Sequence, residues 1–209
     1  MKPDAHFWDK LAPKYRQQKI SNVDAYEATL DRVLYHMPAQ ARVLELGCGT
    51  GGTALRLAPE VHSIVATDFS PGMIAQAEAR PGARNVTFMT ADVFDARLEP
   101  GVFDVVLGFN LFHLVPDAGA AFARIHDLLP DGGLFVSKTP CIGEPSLGFK
   151  FGLIRALVPL MQRVGKAPFV RYFKTQELVA AIAAAGFEVL ETGNYPDRPP
   201  NHLVVARKL

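Results

Sequence analysis

Short runs of apolar residues alternate along the chain with longer stretches in which apolar residues recur at helical spacing. Five short runs favour strands and lie at 42–46, 63–67, 86–89, 103–108 and 134–138. Strands that alternate with helices are typical of a parallel sheet covered by helices on both faces. Two later runs, at 187–192 and 202–207, are separated only by a turn. The pattern therefore predicts an α/β fold, a doubly wound, mostly parallel sheet of seven strands with an antiparallel C-terminal hairpin.

Local signals place helices between these strands. Asp24 and Glu27 resemble a capping box at the start of one helix, and Ser70 precedes the start of another. The apolar stretch 149–163 predicts a further helix, kinked or interrupted at Pro159 because proline cannot donate the hydrogen bond that the helix requires.

Composition predicts one globular domain in a reducing compartment. The 209 residues, 49% of them hydrophobic, suffice for one sizeable core. The formal charge of +1 argues against a nucleic-acid partner. Cys48 and Cys141 have neither metal-ligand nor disulfide-framework spacing, so we expect no metal site and a cytoplasmic location. The polar start lacks the apolar core of a signal peptide, and no transmembrane segment is expected.

A glycine cluster at the end of the first strand is the most informative feature of the sequence. In the stretch 43–52 an apolar strand runs directly into glycines that open a helix, which lets a ligand approach the backbone. Gly47, Gly49 and Gly52 satisfy the G-x-G-x-x-G dinucleotide pattern, and Asp68 lies where a ribose-binding acid is expected. Taken alone, this motif is compatible with NAD.

Glu45 favours a different ligand. Its carboxylate lies two residues before the first glycine, where it would repel a pyrophosphate. A ligand that carries a sulfonium and an ammonium group would instead gain Coulomb energy from it.

The glycine stretch resembles the class I methyltransferases that depend on S-adenosylmethionine (SAM). Their first motif, E-x-G-x-G-x-G, is matched by Glu45, Gly47, Gly49 and Gly51. The resemblance continues through 66–74, 91–93, 103–113 and 129–136. It implies a Rossmann-like fold, SAM as cofactor, S-adenosylhomocysteine as product, and methyl transfer to a small-molecule acceptor.

The same resemblance implies roles for single residues. Asp68 would hold the ribose hydroxyls and Asp92 would approach the adenine amino group. The other expected cofactor-binding residues are Tyr15, Cys48, Thr50, Phe69, Met73, Ala91, Val93 and Asn110. Alternatives stay open, since Asp68 can serve a helix N-terminus, Asp92 a loop, and Phe69 and Met73 the core.

The acceptor is expected beyond the carboxyl ends of the strands, beside the loop 108–113. His113 is the candidate for a general base, with a structural role as the alternative. The segment 141–174 could roof an acceptor pocket, pack in the core, or contact a membrane surface or lipid-like substrate. N-terminal helices are expected to form a lid, and the resemblance implies that Tyr15 closes over the cofactor; plain packing of this helix is the alternative.

We expect a single domain over 1–209. Helices occupy 1–40, the SAM-binding core 41–140, the acceptor-side helical segment 141–174, and a closing helix and hairpin 175–209. The leading hypothesis is a SAM-dependent methyltransferase. The alternatives are an NAD-dependent oxidoreductase and a non-catalytic SAM-binding sensor or partner protein, and the sequence does not predict the oligomeric state.

Overall fold

The computed structural model describes residues 5–163 and 165–209, and the side chains at 149–150 and 153–156 lie outside that description. Its strands are β1 (Arg42–Leu46), β2 (Ser63–Asp68), β3 (Val86–Thr90), β4 (Val105–Phe109), β5 (Leu134–Pro140), β6 (Phe187–Asn194) and β7 (Asn201–Lys208). They form one sheet in the order β3-β2-β1-β4-β5-β7-β6. The first five strands pair in parallel, and β7 is antiparallel to both β5 and β6. The predicted fold class is confirmed.

Helices cover both faces of the sheet. They are α1 (Ala5–Gln17), α2 (Val23–His36), α3 (Gly52–Leu57), α4 (Pro71–Glu78), α5 (Ala118–Leu128), α6 (Gly148–Arg163) and α7 (Thr175–Ala184). Short 3-10 turns occur at Ala58–Glu60, Phe112–Leu114 and Pro145–Leu147.

Alternate residues of the central strands enter two separate cores. In β4, Val106 packs on the face that α5 and α7 cover, whereas Val105 and Leu107 pack on the face that α2 and α3 cover. All three side chains are fully buried. A strand with buried side chains on both faces reads as a continuous apolar run, which explains why β4 was recognisable from the sequence.

Local signals were less accurate than the alternation of elements. The helix α2 is capped by Asn22, whose side chain accepts a hydrogen bond from the Ala25 N–H at 2.9 Å, so Asp24 lies inside the first turn and the expected capping box was wrong. The helix α6 runs through Pro159 without interruption. A proline costs one hydrogen bond within a helix, which the remaining turns of a long helix can tolerate.

The chain reverses its direction across the sheet between β3 and β4. The strands β1 and β4 are neighbours, and their carboxyl ends therefore form the switch point at which open α/β sheets bind ligands. The glycine stretch follows β1, and the loop to His113 follows β4.

Candidate cofactor and acceptor site

The conformation of the glycine stretch distinguishes the two motifs that its sequence allows. Gly47, Gly49 and Gly51 have φ values of +67°, +54° and +76°, which side chains rarely adopt. A Cβ atom at Gly51 would lie 2.6 Å from Cζ of Phe88. Gly52 has neither a positive φ nor any neighbour that a Cβ would meet. The structure therefore requires glycine at the three positions of E-x-G-x-G-x-G and not at the last position of the dinucleotide pattern.

Glu45 is buried beside this stretch with an unsatisfied oxygen. It is 3% exposed, and Oε2 has no hydrogen-bond partner among the described residues. Burial raises the pKa of this carboxyl to about 8, the charge of Asp68 adds to the shift, and a hydrogen bond from the Ala54 N–H opposes it. A cation or donor placed here would satisfy Oε2 and favour the charged carboxylate.

Asp68 ties the glycine stretch to the helix that follows β2. Its Oδ2 accepts from the Gly49 N–H at 3.0 Å and its Oδ1 accepts from the Ser70 N–H at 2.9 Å. Burial raises the pKa of this carboxyl. Each carboxylate oxygen can accept more than one hydrogen bond, so Asp68 keeps capacity for two hydroxyl groups.

Tyr15 covers the glycine stretch from the N-terminal helix. A Cβ atom at Gly49 would lie 3.4 Å from Cε1 of Tyr15, which places the ring directly over the backbone there. Burial, with a contribution from the charge of Asp68, raises the pKa of the Tyr15 hydroxyl. The ring therefore lies against the glycine stretch with the charge of Asp68 nearby, which is where a lid over a ligand would lie.

Asp9, which the sequence did not single out, fastens α1 to the start of α4. Its Oδ1 accepts hydrogen bonds from Ser70 Oγ at 2.6 Å and from the Gly72 N–H at 2.8 Å. About two helical turns further along α1, Arg16 Nη2 donates to the Ala79 carbonyl at 3.1 Å. Both contacts fasten α1 to α4, one near the middle of α1 and one at its C-terminal end.

Three other predicted cofactor residues are engaged within the protein. Thr50 accepts two hydrogen bonds from Arg80, at its carbonyl (2.7 Å) and at Oγ1 (3.1 Å). Cys48 is buried, its N–H donates to the Thr67 carbonyl at 2.8 Å, and burial raises the pKa of its thiol. Met73 is 2% exposed. These side chains shape the loop and the base of α4 from inside.

The residues after β3 lie beside Asp68. The Ala91 N–H donates to the Asp68 carbonyl at 3.1 Å, which brings the segment 91–93 to the same edge. Val93 is buried in the core below. Asp92 is exposed, and its Oδ1 accepts from the N–H two residues on at 2.8 Å, as a turn residue does. Phe69 is half-buried.

Asn110 holds an uncommon backbone conformation after β4. Its φ of +51° lies in the left-handed region, which few residues other than glycine adopt. Two hydrogen bonds hold it, from its N–H to the Lys138 carbonyl at 2.7 Å and from Asn201 Nδ2 to its Oδ1 at 3.0 Å. The next residue, Leu111, then reaches back over Gly47, where its Cδ1 lies 2.8 Å from the position of a Cβ.

His113 is a neutral imidazole with a free nitrogen. It lies in the turn after β4, and its buried Nδ1 has no hydrogen-bond partner among the described residues. Burial lowers the pKa of this imidazole to about 4, so it is uncharged near pH 7. Its carbonyl accepts from the Arg171 N–H at 2.7 Å, which joins this loop to the segment before α7.

Lys138 is a second buried charge that the sequence analysis did not single out. It is 6% exposed in β5, its Nζ donates to Thr29 Oγ1 at 2.6 Å, and burial lowers its pKa to about 8. A charged residue in an otherwise apolar strand, the signal that singled out Glu45, could have found it. Among the described side chains there is no group of three or more His, Cys, Asp or Glu that could hold a metal ion.

Comparisons with known proteins agree with this geometry. The family model described as "Methyltransferase domain" matches residues 43–133. A malonyl-[acyl-carrier protein] O-methyltransferase of Geobacter sulfurreducens is 32% identical over 182 residues, which cover 82% of this chain and 67% of that protein. The chain spans 2% to 56% of the length of three further curated relatives.

Solved structures share the fold at low identity. A SAM-dependent methyltransferase of Mesorhizobium loti superposes with a TM-score of 0.68 at 20% identity, covering 88% of this chain and all of that one. The [4+2]-cyclase SpnF superposes with a TM-score of 0.73 at 16% identity, covering 98% and 95%. The chain belongs to the class I SAM-dependent methyltransferase family, and this membership displaces the NAD-dependent oxidoreductase hypothesis.

Proposed function

We propose that this protein transfers a methyl group from SAM to an oxygen atom of a small-molecule acceptor. The observation that carries the proposal is the unsatisfied Oε2 of Glu45, buried next to three glycines whose backbone conformation excludes side chains. Oxygen is chosen because the relative from Geobacter sulfurreducens is an O-methyltransferase. Two free, buried thiols, Cys48 and Cys141, suit the reducing cytoplasm as the place of the reaction.

The residues around the glycine stretch fit SAM. In the proposed complex Glu45 attracts the cationic part of the cofactor, Asp68 accepts from its ribose hydroxyls, and Tyr15 closes over it. Asp92 and its neighbours at 91 and 93 border the adenine. When bound, SAM supplies a methyl carbon that its sulfonium already activates, so alignment and exclusion of water are the main tasks left to the protein.

His113 is proposed to receive the acceptor. With its proton on Nε2, the imidazole offers the unpartnered Nδ1 as hydrogen-bond acceptor for an acceptor hydroxyl. As the oxygen takes the methyl group it becomes positively charged and acidic, and its proton can then pass to Nδ1. The two ends of the segment 143–171 lie close to His113. The Arg171 N–H donates to the His113 carbonyl at 2.7 Å, and the Gly143 N–H donates to the carbonyl of Phe173, two residues after Arg171, at 2.9 Å. This segment is therefore placed to roof an acceptor.

Cofactor binding is tested by isothermal titration with S-adenosylhomocysteine, with NAD as the competing ligand. We expect saturable binding that Asp68→Ala abolishes and Glu45→Gln weakens, whereas the exposed Glu60→Gln serves as the matched control and keeps full affinity. Preference for NAD, or equal affinity in all variants, would contradict the proposed site.

Methyl transfer is tested separately with SAM labelled in the methyl group and a panel of hydroxylated and carboxylated acceptors. We expect labelled product, and a rate that falls with His113→Ala while the affinity for S-adenosylhomocysteine stays unchanged.

A second function is a SAM-binding protein that does not transfer methyl groups. It is favoured by one observation, namely that an enzyme named as a [4+2]-cyclase has the same fold. Binding of S-adenosylhomocysteine without labelled product on any acceptor, and without effect of His113→Ala, would support this second function.

A further inference from the structure

Charge is distributed unevenly along a chain whose net charge is close to zero. Residues 145–176, here called the basic segment, contain six Lys or Arg and no Asp or Glu. The rest of the chain then contains sixteen Lys or Arg against twenty-one Asp or Glu. The basic segment is therefore positively charged in a chain that is otherwise acidic; Lys174 pairs with Glu177 at 3.5 Å, and the remaining positive charge favours an anionic partner.

The same segment exposes large apolar side chains. Leu157, Leu160 and Met161 are 50%, 60% and 43% exposed. Their spacing of three and four residues places them on one face of α6, here called the apolar face. Val158 and Gln162, which point elsewhere around the helix, are half-buried. Three exposed apolar side chains on one face are the reverse of what a helix packed on a core presents to solvent.

Exposed basic residues follow the apolar face. Arg163 ends α6 and Lys166 follows it; both are exposed and belong to no ion pair within the part of the chain that the structure describes. Two hydrogen bonds join the end of α6 to the residues that follow it, from the Lys166 N–H to the Met161 carbonyl at 2.8 Å and from Gln162 Nε2 to the Pro168 carbonyl at 2.8 Å. Lys166 therefore lies close to Met161 of the apolar face, and apolar and basic groups are exposed together.

We propose that the apolar face of α6 and the basic residues of its segment dock this protein on an anionic lipid surface. A helix that exposes aliphatic side chains beside Lys and Arg lies in the headgroup region, with its apolar side toward the acyl chains. No helix within residues 5–163 and 165–209 is long and apolar enough to cross a membrane. With 16 residues, α6 is about 24 Å long and would lie along the surface.

The lipid surface is favoured over an acidic protein by the kind of apolar groups exposed. A protein partner would have to supply a matching pocket for three neighbouring aliphatic side chains, whereas acyl chains accept them without a defined shape. The basic segment also returns to the candidate site through the bond from Arg171 to His113. Docking would therefore hold the acceptor opening close to the membrane.

The test is co-sedimentation of the full chain, without cofactor, with vesicles of phosphatidylcholine alone and with added phosphatidylglycerol. It is independent of the proposed methyl transfer, because no turnover is measured. We expect the protein to sediment with the anionic vesicles only, and to be released by high salt. Arg163→Gln with Lys166→Gln should weaken binding roughly thirtyfold, by loss of two cations near the surface.

A second pair of variants tests the apolar face. Leu157→Gln with Leu160→Gln should weaken binding by a similar factor, whereas Lys19→Gln with Ile20→Gln, an equally exposed basic and apolar pair elsewhere, should bind as the unchanged chain does. Amide hydrogen exchange over 148–163 should slow when anionic vesicles are added, which checks the contact without any substitution.

Three results would overturn the proposal. The first is that the chain stays in solution with anionic vesicles. The second is concentration-dependent dimerisation that Leu157→Gln with Leu160→Gln abolishes, in the absence of vesicle binding, which would assign the apolar face to a second copy. The third is saturable binding of an acidic acyl carrier protein through the basic segment without vesicle binding.

Discussion

Replacing Glu45 by Gln should stabilise the protein without its ligand while it weakens ligand binding. In the folded state burial raises the pKa of Glu45 from 4.5 to about 8. Between these two pH values the unfolded chain has lost the proton and the folded chain keeps it, so the free energy of unfolding falls as the pH rises through this window. Above pH 8 the full penalty applies.

The size of the effect follows from the same shift. At pH 7 about 2.5 of the pKa units that separate the unfolded from the folded value have acted, and at about 1.36 kcal/mol for each unit the penalty is about 3 kcal/mol. Gln keeps an oxygen for the Ala54 N–H and carries no charge, so Glu45→Gln should recover most of this energy. In a chain of this length that corresponds to a rise of roughly 6 to 10 °C in Tm.

Thermal unfolding between pH 4 and pH 9 measures this directly. We expect the Tm curves of the two proteins to coincide near pH 4 and to separate as the pH rises toward 8. With saturating S-adenosylhomocysteine the difference in Tm between the two proteins should shrink or change sign, because the ligand stabilises most the protein that binds it more tightly. Parallel curves at all pH values would refute the argument that burial, rather than hydrogen bonding, sets the protonation of Glu45.

Three further predictions concern other parts of the structure. Lys138→Met should raise the free energy of unfolding by about 3 kcal/mol near pH 7, because burial lowers the pKa of Lys138 from 10.5 to about 8. This gain should vanish as the pH rises from 8 to 10.5 in urea titrations. Gly51→Ala should lower the free energy of unfolding by about 2 to 3 kcal/mol in the same assay, because φ is positive there and the new Cβ would lie 2.6 Å from Cζ of Phe88. The control Gly52→Ala should change the free energy of unfolding by less than about 1 kcal/mol. Asp9→Ala should release the N-terminal helix and speed its cleavage by trypsin, while Asp24→Ala should not; equal cleavage would show that the Asp9 bonds do not fasten α1 to α4.

The parts of the fold that depend on short stretches of chain could be predicted from the sequence. β4 enters both cores, so its apolar run identifies a buried strand without knowledge of its neighbours. The glycines are read in the same way, because positive φ and close approach both demand the absence of a side chain at that position. Glu45 was recognisable because burying a carboxylate in an apolar strand costs free energy, which indicates that a ligand or partner group compensates for it.

Contacts between distant segments could not be predicted. Asp9 caps a helix more than sixty residues further along the chain, and nothing around it in the sequence indicates that partner. Asn22 was overlooked for Asp24 because both residue types cap helices, and only the backbone geometry decides between them. The protonation of His113 depends on burial, which the local sequence does not state.

The position of β7 between β5 and β6 has a consequence for the order of folding. Its pairing with β5 joins residues as far apart as Leu134 and Arg207, and such non-local pairing carries a large loop-closure entropy. Asn201, at the start of β7, is also one of the two groups that hold the left-handed Asn110. The loop 108–113 should therefore be among the last regions to reach its native conformation, and a nascent chain stopped before residue 201 would have an ordered glycine stretch beside an unfinished loop after β4.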